Sequence, residues 1–153
     1  MRRSDREIKD FEAIVDVLQR CDTIRIGFHA EPYPYIVPLS FGYRAENGGI
    51  TLYVHGAQEG CRHDLLRQNP LVCVEADLCH RFVGTGDSVT CEYESVIGFG
   101  RMDLAEGEEA REGVRLLLAH CGFPDVPCSP KAFAAMTVHR IHLDSFTGKR
   151  RTV

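Results

Sequence analysis

Apolar residues repeat at helical spacing in two stretches of the chain and alternate with polar residues over much of the remainder. After a capping box at residues 4–7, apolar positions recur every three or four residues, which predicts an amphipathic helix over about 5–20. The same spacing, with acidic residues at its beginning, predicts a second helix over about 106–121. Shorter helices are expected near 59–68 and 129–136.

The alternating stretches predict about six β-strands. They cover residues 23–28, a segment from 35 towards a turn at 47–49, and then 50–55, 71–76, 91–102 and 137–144. Residues 77–89 are rich in turn formers and are expected to form a loop. Pro38 favours an edge or a barrel rim, because proline cannot donate a backbone hydrogen bond. The short connections favour antiparallel pairing, and hence a closed or split barrel with helices outside.

Length and charge limit the class of protein. The 153 residues fit a single domain, 1–153, that ends in a basic tail over about 147–153. A net charge of −4 argues against general nucleic-acid binding, so we expect a small-molecule partner. The charged N-terminus has no apolar run after it, and no stretch has the length and apolarity of a membrane span. The expected location is therefore the cytoplasm, with no membrane partner.

Cysteine and histidine spacing does not indicate a metal site. The seven cysteines contain no Cys-x-x-Cys pair, and reduced thiols are expected. Cys79 and His80 are adjacent, but no second ligand pair lies nearby, and we expect a loop without metal there. His139 and His142 lie on a predicted strand at an odd spacing, which places them on opposite faces.

The stretch 33–62 contains the clearest candidate binding site. Its second predicted strand ends at His55 and Gly56, and a turn of small residues then opens a helix with Arg62 in the first turn. Unpaired N–H groups, the helix dipole and a guanidinium suit a phosphate. The alternative is a β-hairpin followed by a surface helix on which Arg62 is merely solvated, and the motif alone does not decide between them.

Five segments in order resemble the FMN-binding split-barrel proteins related to pyridoxamine 5′-phosphate oxidase, and in particular their 5-nitroimidazole resistance (nitroimidazole reductase) branch. The segments are residues 33–39, 55–62, Asn69-Pro70 with the valine-rich strand after it, Tyr93-x-Ser95-Val96-x-x-x-Gly100, and 147–149. The resemblance implies a mainly β fold, a six-stranded antiparallel Greek-key split barrel with flanking helices. It also implies a homodimer, with one FMN per subunit in a cleft at the dimer interface.

The resemblance also assigns the cofactor-binding residues. By similarity, they are Tyr35, Ile36, Val37, Pro38, Leu39 and Ser40 along the flavin and ribityl chain, His55 and Gly56 beside them, Gly60, Cys61, Arg62 and His63 around the phosphate, and Ser95, which is expected to come from the partner subunit. Cys61 is a departure, because relatives commonly carry a basic residue there. Losing one charge-assisted hydrogen bond weakens binding by about tenfold to a hundredfold, and His63 is a candidate replacement.

The activity implied by the resemblance is an FMN-dependent reductase. It transfers electrons from NAD(P)H or another donor to a small electrophile such as a nitro compound. The residues and C-terminal segment with which relatives bind pyridoxamine phosphate are not found here. His55 is a candidate proton donor, although a purely packing role is equally consistent, and Cys61 at a helix start is a candidate redox thiol. The rival hypothesis is a non-catalytic carrier or sensor that binds flavin or haem; a deazaflavin is a further possible cofactor.

Overall fold

One antiparallel sheet of eight strands dominates the computed structural model, which describes residues 2–153; Met1 of the predicted domain lies outside them. The strands are β1 (Glu7–Ile8), β2 (Ile24–Phe28), β3 (Tyr35–Leu39), β4 (Gly42–Glu46), β5 (Gly49–Gly56), β6 (Leu71–Gly84), β7 (Val89–Leu104) and β8 (Thr137–Arg151). The helices are α1 (Phe11–Arg20), α2 (Cys61–Gln68), α3 (Gly107–His120) and α4 (Pro130–Ala134), and a 3₁₀ turn covers Ser4–Arg6. The mainly β, antiparallel class expected from the sequence is confirmed, with eight strands instead of six.

The strand order is β3-β2-β6-β7-β8-β5-β4, and β1 pairs with β8 beside this path. Neighbours such as β2 and β6, or β5 and β8, are distant in sequence, as in a Greek key. One buried apolar cluster collects side chains from α1 and from strands at both ends of the path, including Ile26 of β2 and Leu52 of β5. A flat sheet could not bring these strands to one core, so the sheet curls round it as a barrel does.

The N-terminal helix is shorter than the sequence pattern predicts. It begins at Phe11 and not at residue 5, because the Asp10 side chain accepts a hydrogen bond from the backbone N–H of Ala13 (2.9 Å) and caps the helix there. Upstream, Glu7 and Ile8 pair with β8, and Ile8 is buried in the core. Burial of Ile8 by strand pairing thus overrides the local capping signal at residues 4–7.

The predicted loop over 77–89 is wrong, because these residues continue the β6–β7 hairpin. The ladder runs from Leu71 opposite Arg101 to Gly84 opposite Val89, and only residues 85–88 turn. Cys79 and His80 consequently lie on a strand and not in a loop. The predicted basic tail is also wrong over most of its length, since β8 continues to Arg151.

Residues 35–56 form three strands where the sequence predicts two. The first predicted strand breaks at Ser40 and Phe41 into β3 and β4. Pro38 does lie on an edge strand, since β3 pairs only with β2. Asn47 and Gly48, with φ of 53° and 76°, form the predicted tight turn into β5.

A buried carboxylate joins α1 to the central strands of the sheet. The carboxylate of Glu94, 7% exposed, accepts hydrogen bonds from Arg20 of α1 (2.6 Å), Arg150 of β8 (2.5 Å) and His80 (2.9 Å). These contacts, with Arg20 the largest contributor, lower the pKa of Glu94 to about 2. The network ties α1 and the end of β8 to the central strand β7. No helix among residues 2–153 has both the length and the apolarity to cross a membrane.

Candidate functional site

The connection from β5 to α2 forms the turn that the sequence indicates. Gly60 is the N-cap of α2 with φ of 134°, a conformation that favours glycine. No side chain caps the helix, and the His63 N–H donates to the carbonyl of Gly60 (2.9 Å), so the N–H groups of Cys61 and Arg62 are left for another acceptor. Arg62 is the second residue of α2, as predicted. The helix therefore offers backbone donors and a guanidinium at one place.

Arg62 is a half-buried cation for which the described chain supplies no counter-ion. Most arginines of the protein pair with a carboxylate, as Arg67 does on the same helix with Asp64. Among residues 2–153 no carboxylate forms an ion pair with Arg62, and its Nε is buried without a hydrogen-bond partner. Burial lowers the pKa of Arg62, and the nearby Tyr35 hydroxyl partly opposes this effect. A bound anion would satisfy both the charge and the unpaired Nε.

Three histidines surround this guanidinium. The His63 ring donates from Nε2 to the carbonyl of Ala57 (2.7 Å), which fixes the turn before α2, and lies 5.3 Å from the ring of His139. His139 is 4% exposed, and its Nδ1 has no partner among residues 2–153. Burial, Arg62 and His63 lower the pKa of His139 to about 4, so its ring is neutral near pH 7. Partial desolvation and then Arg62 also lower the pKa of the more exposed His55.

The alternation of apolar and polar residues predicts that His139 lies on a strand, but it does not indicate that His139 belongs to the site. It reaches the site because β8 pairs with β5 in a register that sets Val54 opposite His139 and His55 opposite Val138. Residues directly opposite in an antiparallel pair share a face, so His139 lies on the inner face with Val54. No local signal marks this contact, because it depends on strand pairing across the whole chain.

The predicted residues of β3 divide between two faces of the sheet. Tyr35, Val37 and Leu39 lie opposite Phe28, Ile26 and Ile24 and face inward, whereas Ile36 and Pro38 face outward. Ser40 is exposed just beyond the strand. The unpaired edge of β3 leaves its backbone available to a ligand.

The structure brings together most, but not all, of the predicted site residues. Tyr35, His55, Gly56 and the start of α2, residues 60–63, meet around the Arg62 guanidinium. The guanidinium lies so close to Gly56 that a Cβ there would overlap it. Ser95 lies on β7, opposite Asp77 and Lys149. The β7 residue opposite His139 is Leu104, nine positions further along the strand. That is roughly 30 Å of strand length, so Ser95 does not join this cluster within one chain.

The donor set fits a phosphate better than a metal ion. The guanidinium of Arg62, which the absence of a side chain at Gly56 admits, and the free N–H groups of Cys61 and Arg62 offer positive charge and hydrogen-bond donors at one spot. Cys61 is exposed at the first position of α2 and adds no cation. Residues 2–153 contain no cluster of three or more His, Cys, Asp or Glu side chains placed to hold a metal.

A second feature lies on the outer face of the sheet. Ile36, Gly27, Cys73 and Phe99 form one continuous row across β3, β2, β6 and β7. Ile36 is 62% exposed and Phe99 56% exposed, and the groove along this face has a volume of about 870 Å³. Exposed apolar patches of this kind are typical of interaction surfaces.

Both a family model and solved structures of other proteins match this chain. The family model described as pyridoxamine 5′-phosphate oxidase matches residues 10–150. A candidate 5-nitroimidazole antibiotic resistance protein from Bacteroides thetaiotaomicron superposes with a TM-score of 0.82 at 29% identity, over 94% of this chain and 85% of that chain. No curated protein matches the sequence significantly.

Two more distant structures share the fold. The flavocytochrome Anf3 from Azotobacter vinelandii has a TM-score of 0.82 at 20% identity, over 100% of this chain and 72% of that chain. The FAD and haem binding protein from Mycobacterium smegmatis has a TM-score of 0.82 at 16% identity, over 97% of this chain and 74% of that chain. The resemblance and the split-barrel architecture inferred from the sequence are confirmed: the chain belongs to the pyridoxamine 5′-phosphate oxidase family.

Proposed function

We propose that this protein is a cytoplasmic, FMN-dependent oxidoreductase that reduces a small electrophile, such as a nitroaromatic compound, with electrons from NAD(P)H or another donor. The observation that carries the proposal is Arg62, a half-buried guanidinium without a counter-ion at the uncapped start of α2. Family membership and a structural relative named for 5-nitroimidazole resistance support the choice of cofactor and reaction.

The residues around Arg62 suit the phosphate end of FMN. The Arg62 guanidinium and the backbone N–H groups of Cys61 and Arg62 would bind the phosphate, and residues 35–40 would line the remainder of the cofactor. Flavin, when bound, supplies the electron transfer, while the protein orients it and limits side reactions. No carboxylate competes with the phosphate for Arg62 among the described residues, so the charge balance of the site favours an anionic ligand.

His55 is the proposed proton-handling group. Its pKa is lowered by partial desolvation and by Arg62, so the ring is neutral near pH 7 and carries one N–H donor. Its exposure lets it exchange a proton with solvent. His55 can therefore hold a hydrogen bond or a proton beside a bound substrate without adding a second permanent positive charge next to Arg62.

The proposed working form is a homodimer with the cofactor at its interface. The row formed by Ile36, Gly27, Cys73 and Phe99 is apolar and exposed and adjoins the edge strand β3. A second copy of the chain would remove this surface from water. The same arrangement would allow Ser95 to reach the cofactor from the partner subunit, since it does not reach the Arg62 cluster of its own chain.

A carrier or sensor that binds flavin or haem without turnover is the second candidate. It is favoured by His139, a buried neutral histidine with an unpaired Nδ1, because histidine is a common axial ligand of haem iron. Two structural relatives are named as a flavocytochrome and as an FAD and haem binding protein. In the proposed enzyme, by contrast, His139 only shapes the phosphate end of the site.

The test begins with the visible spectrum of the purified protein and titration with FMN, FAD and haem. We expect a flavin band that survives gel filtration, and Arg62→Ala should weaken FMN binding by about tenfold to a hundredfold through loss of a charge-assisted contact. Arg67→Ala is the matched control, because Arg67 lies on the same helix but pairs with Asp64 in solvent. Equal FMN affinity in wild type and Arg62→Ala would remove the phosphate assignment.

Turnover separates the two candidates. Addition of NAD(P)H and a nitroaromatic acceptor should give catalytic consumption of both, and His55→Gln should slow this reaction while leaving FMN bound. A flavin that binds but is never reduced and reoxidised, or a Soret band with haem, would favour the carrier. Unchanged rate and pH dependence in His55→Gln would remove His55 from the mechanism.

A further inference from the structure

Two thiols meet on the β6–β7 hairpin, outside the site described above. The sulfur atoms of Cys79 and Cys91 lie 3.2 Å apart. Both cysteines are free; Cys79 is exposed and Cys91 is partly buried. No other two cysteines of residues 2–153 make such a contact. Their contact brings together two nucleophiles that lie 12 residues apart in sequence.

A bulge in the hairpin lies beside this contact. Cys79 lies opposite Tyr93, and Cys91 lies opposite Phe82, so the two cysteines stand on a diagonal of the ladder. Diagonal neighbours in a regular antiparallel pair are about 7–8 Å apart. Here the register shifts between Cys79 and Arg81, which makes His80 an extra residue. A bulge bends and twists its strand, and this one accompanies the close approach of the two sulfur atoms.

The surroundings assign different roles to the two thiols. Cys79 meets solvent and is the sulfur that an outside molecule can reach. The hydrogen bond with Cys79, and after it partial burial, raises the pKa of the Cys91 thiol, which keeps that sulfur protonated. In thiol–disulfide chemistry the accessible sulfur attacks first and its neighbour resolves the mixed disulfide. Cys79 is therefore the attacking thiol and Cys91 the resolving thiol.

We propose that Cys79 and Cys91 form a redox-active dithiol that reduces a small-molecule disulfide, such as glutathione disulfide, and becomes a cross-strand disulfide. Cys79 Sγ gives its proton to solvent, attacks one sulfur of the small disulfide and releases one thiol. Cys91 Sγ then loses its proton, attacks Cys79 Sγ and displaces the second small thiol. The protein loses two electrons and two protons, which the small disulfide gains in becoming two thiols.

The hairpin can accommodate this change. The sulfur atoms need to approach by roughly 1.2 Å to reach a bond length of about 2.0 Å. Neighbouring Phe82 is 74% exposed, so the region is not held by tight packing on every side. The pair also lies well along the hairpin from Leu71, where the strand leaves α2 and the Arg62 cluster. Its oxidation is followed by thiol count and mass, which do not depend on flavin turnover.

The experiment uses the full chain, reduced and then exposed to glutathione disulfide. After denaturation the free thiols are alkylated with N-ethylmaleimide, and intact mass and non-reduced peptide maps are recorded. Two thiols should become unreactive, two glutathione molecules should be released per chain, and one linked peptide should join Cys79 to Cys91. Dithiothreitol should restore all seven thiols.

Single variants test the order of attack. Cys91→Ser should accumulate a glutathione adduct on Cys79, because the resolving thiol is missing, whereas Cys79→Ser should react much more slowly. Cys121→Ser, which removes another exposed cysteine, should behave as wild type. The proposal fails if wild type keeps seven alkylatable thiols, if it accumulates the same stable adduct as Cys91→Ser, or if the link forms between other cysteines.

Discussion

Arg62 and His139 lie close together in a part of the site that water reaches poorly. His139 is buried and Arg62 is half-buried, and neither has a carboxylate partner among residues 2–153. The guanidinium remains charged because its pKa starts so high, whereas the imidazole responds by staying neutral. The protein thus keeps one positive charge in the site where two would repel each other, and that remaining charge is available to an anion.

His139 should make folding stability depend on pH. Its pKa is about 4 in the folded protein against an ordinary value of 6.5, so the unfolded chain takes up the proton first. The titration of His139 leaves the free energy of unfolding unchanged above pH 6.5 and decreases it as the pH falls from 6.5 towards 4. We expect His139→Gln, which is neutral throughout, to lose less stability than wild type over this interval, by up to about 3 kcal/mol.

Urea unfolding followed by circular dichroism at pH 7, 6, 5 and 4.5 measures this effect. His142→Gln is the control, because His142 is an exposed histidine on the same strand. That variant should follow the wild-type dependence. Parallel curves for wild type and His139→Gln would show that His139 is protonated equally in both states.

The sequence identifies Arg62 as a site residue but does not identify His139. The difference lies in how far along the chain the neighbours of each residue are. Arg62 is recognisable because a glycine-rich turn and a helix start lie within a few residues of it, so its environment is set locally. His139 comes 77 positions later and meets Arg62 only through the β5–β8 register. Cys79 and Cys91 illustrate the same limit, since a one-residue bulge that alternation does not reveal lies beside their contact.

At the scale of elements, α3 packs closely on β4 and β5 because glycine, which has no side chain, lies at two of the contacts. A Cβ on Gly42 would come within 2.7 Å of the Leu117 Cα, and one on Gly113 within 2.6 Å of the Tyr53 ring. The first of these neighbours is helix backbone, which cannot rotate away. Gly42 therefore sets how closely the helix approaches the strand.

Gly42→Ala should push α3 off β4 and destabilise the fold by about 2 kcal/mol, as overpacking in a core does. For a domain of this size that corresponds to a fall in melting temperature of roughly 4–8 °C. Gly84→Ala is the matched control, since a Cβ there meets nothing within 4 Å and the backbone is extended. Equal melting temperatures for the two variants would mean that α3 has room to shift.

Element types were more predictable from sequence than element ends. Both long helices, the turn at Asn47 and the edge position of Pro38 follow from local chemistry. The distal β6–β7 hairpin does not, because its exposed strands lack apolar alternation and are held by ladder bonds and ion pairs such as Arg81 with Glu92. The start of α1 differs from the sequence prediction for a related reason, since Ile8 is buried by pairing with Gly148, 140 residues away.

At the scale of the whole molecule, the outer face of β3, β2, β6 and β7 exposes apolar side chains, Ile36 and Phe99 among them, along a groove of about 870 Å³. The opposite part of the sheet, β4 and β5, is covered by α3. Among residues 2–153, by contrast, no helix covers the row from Ile36 to Phe99. A second copy of the chain is the partner proposed for it.

Phe99→Asp should convert the dimer into a monomer, because burying the new carboxylate in an apolar interface is unfavourable. Light scattering after size exclusion measures the mass directly. Phe123→Asp is the control, being a similarly exposed phenylalanine just after α3 and outside this row. A wild-type protein that is already monomeric would overturn the dimer, and a dimeric Phe99→Asp would place its interface elsewhere.

Strand β8 follows the other strands in sequence, yet it lies in the interior of the sheet between β7 and β5. During synthesis on the ribosome, β2, β3, β6 and β7 can pair with one another, as can β4 with β5, but strand pairing does not join the two groups until residues 137–151 have emerged. Until then β7 and β5 each present an open edge of the kind that recruits other strands. Nascent chains arrested before β8 should therefore need chaperone protection, and completion of β8 would at once close the barrel and bring His139 to Arg62.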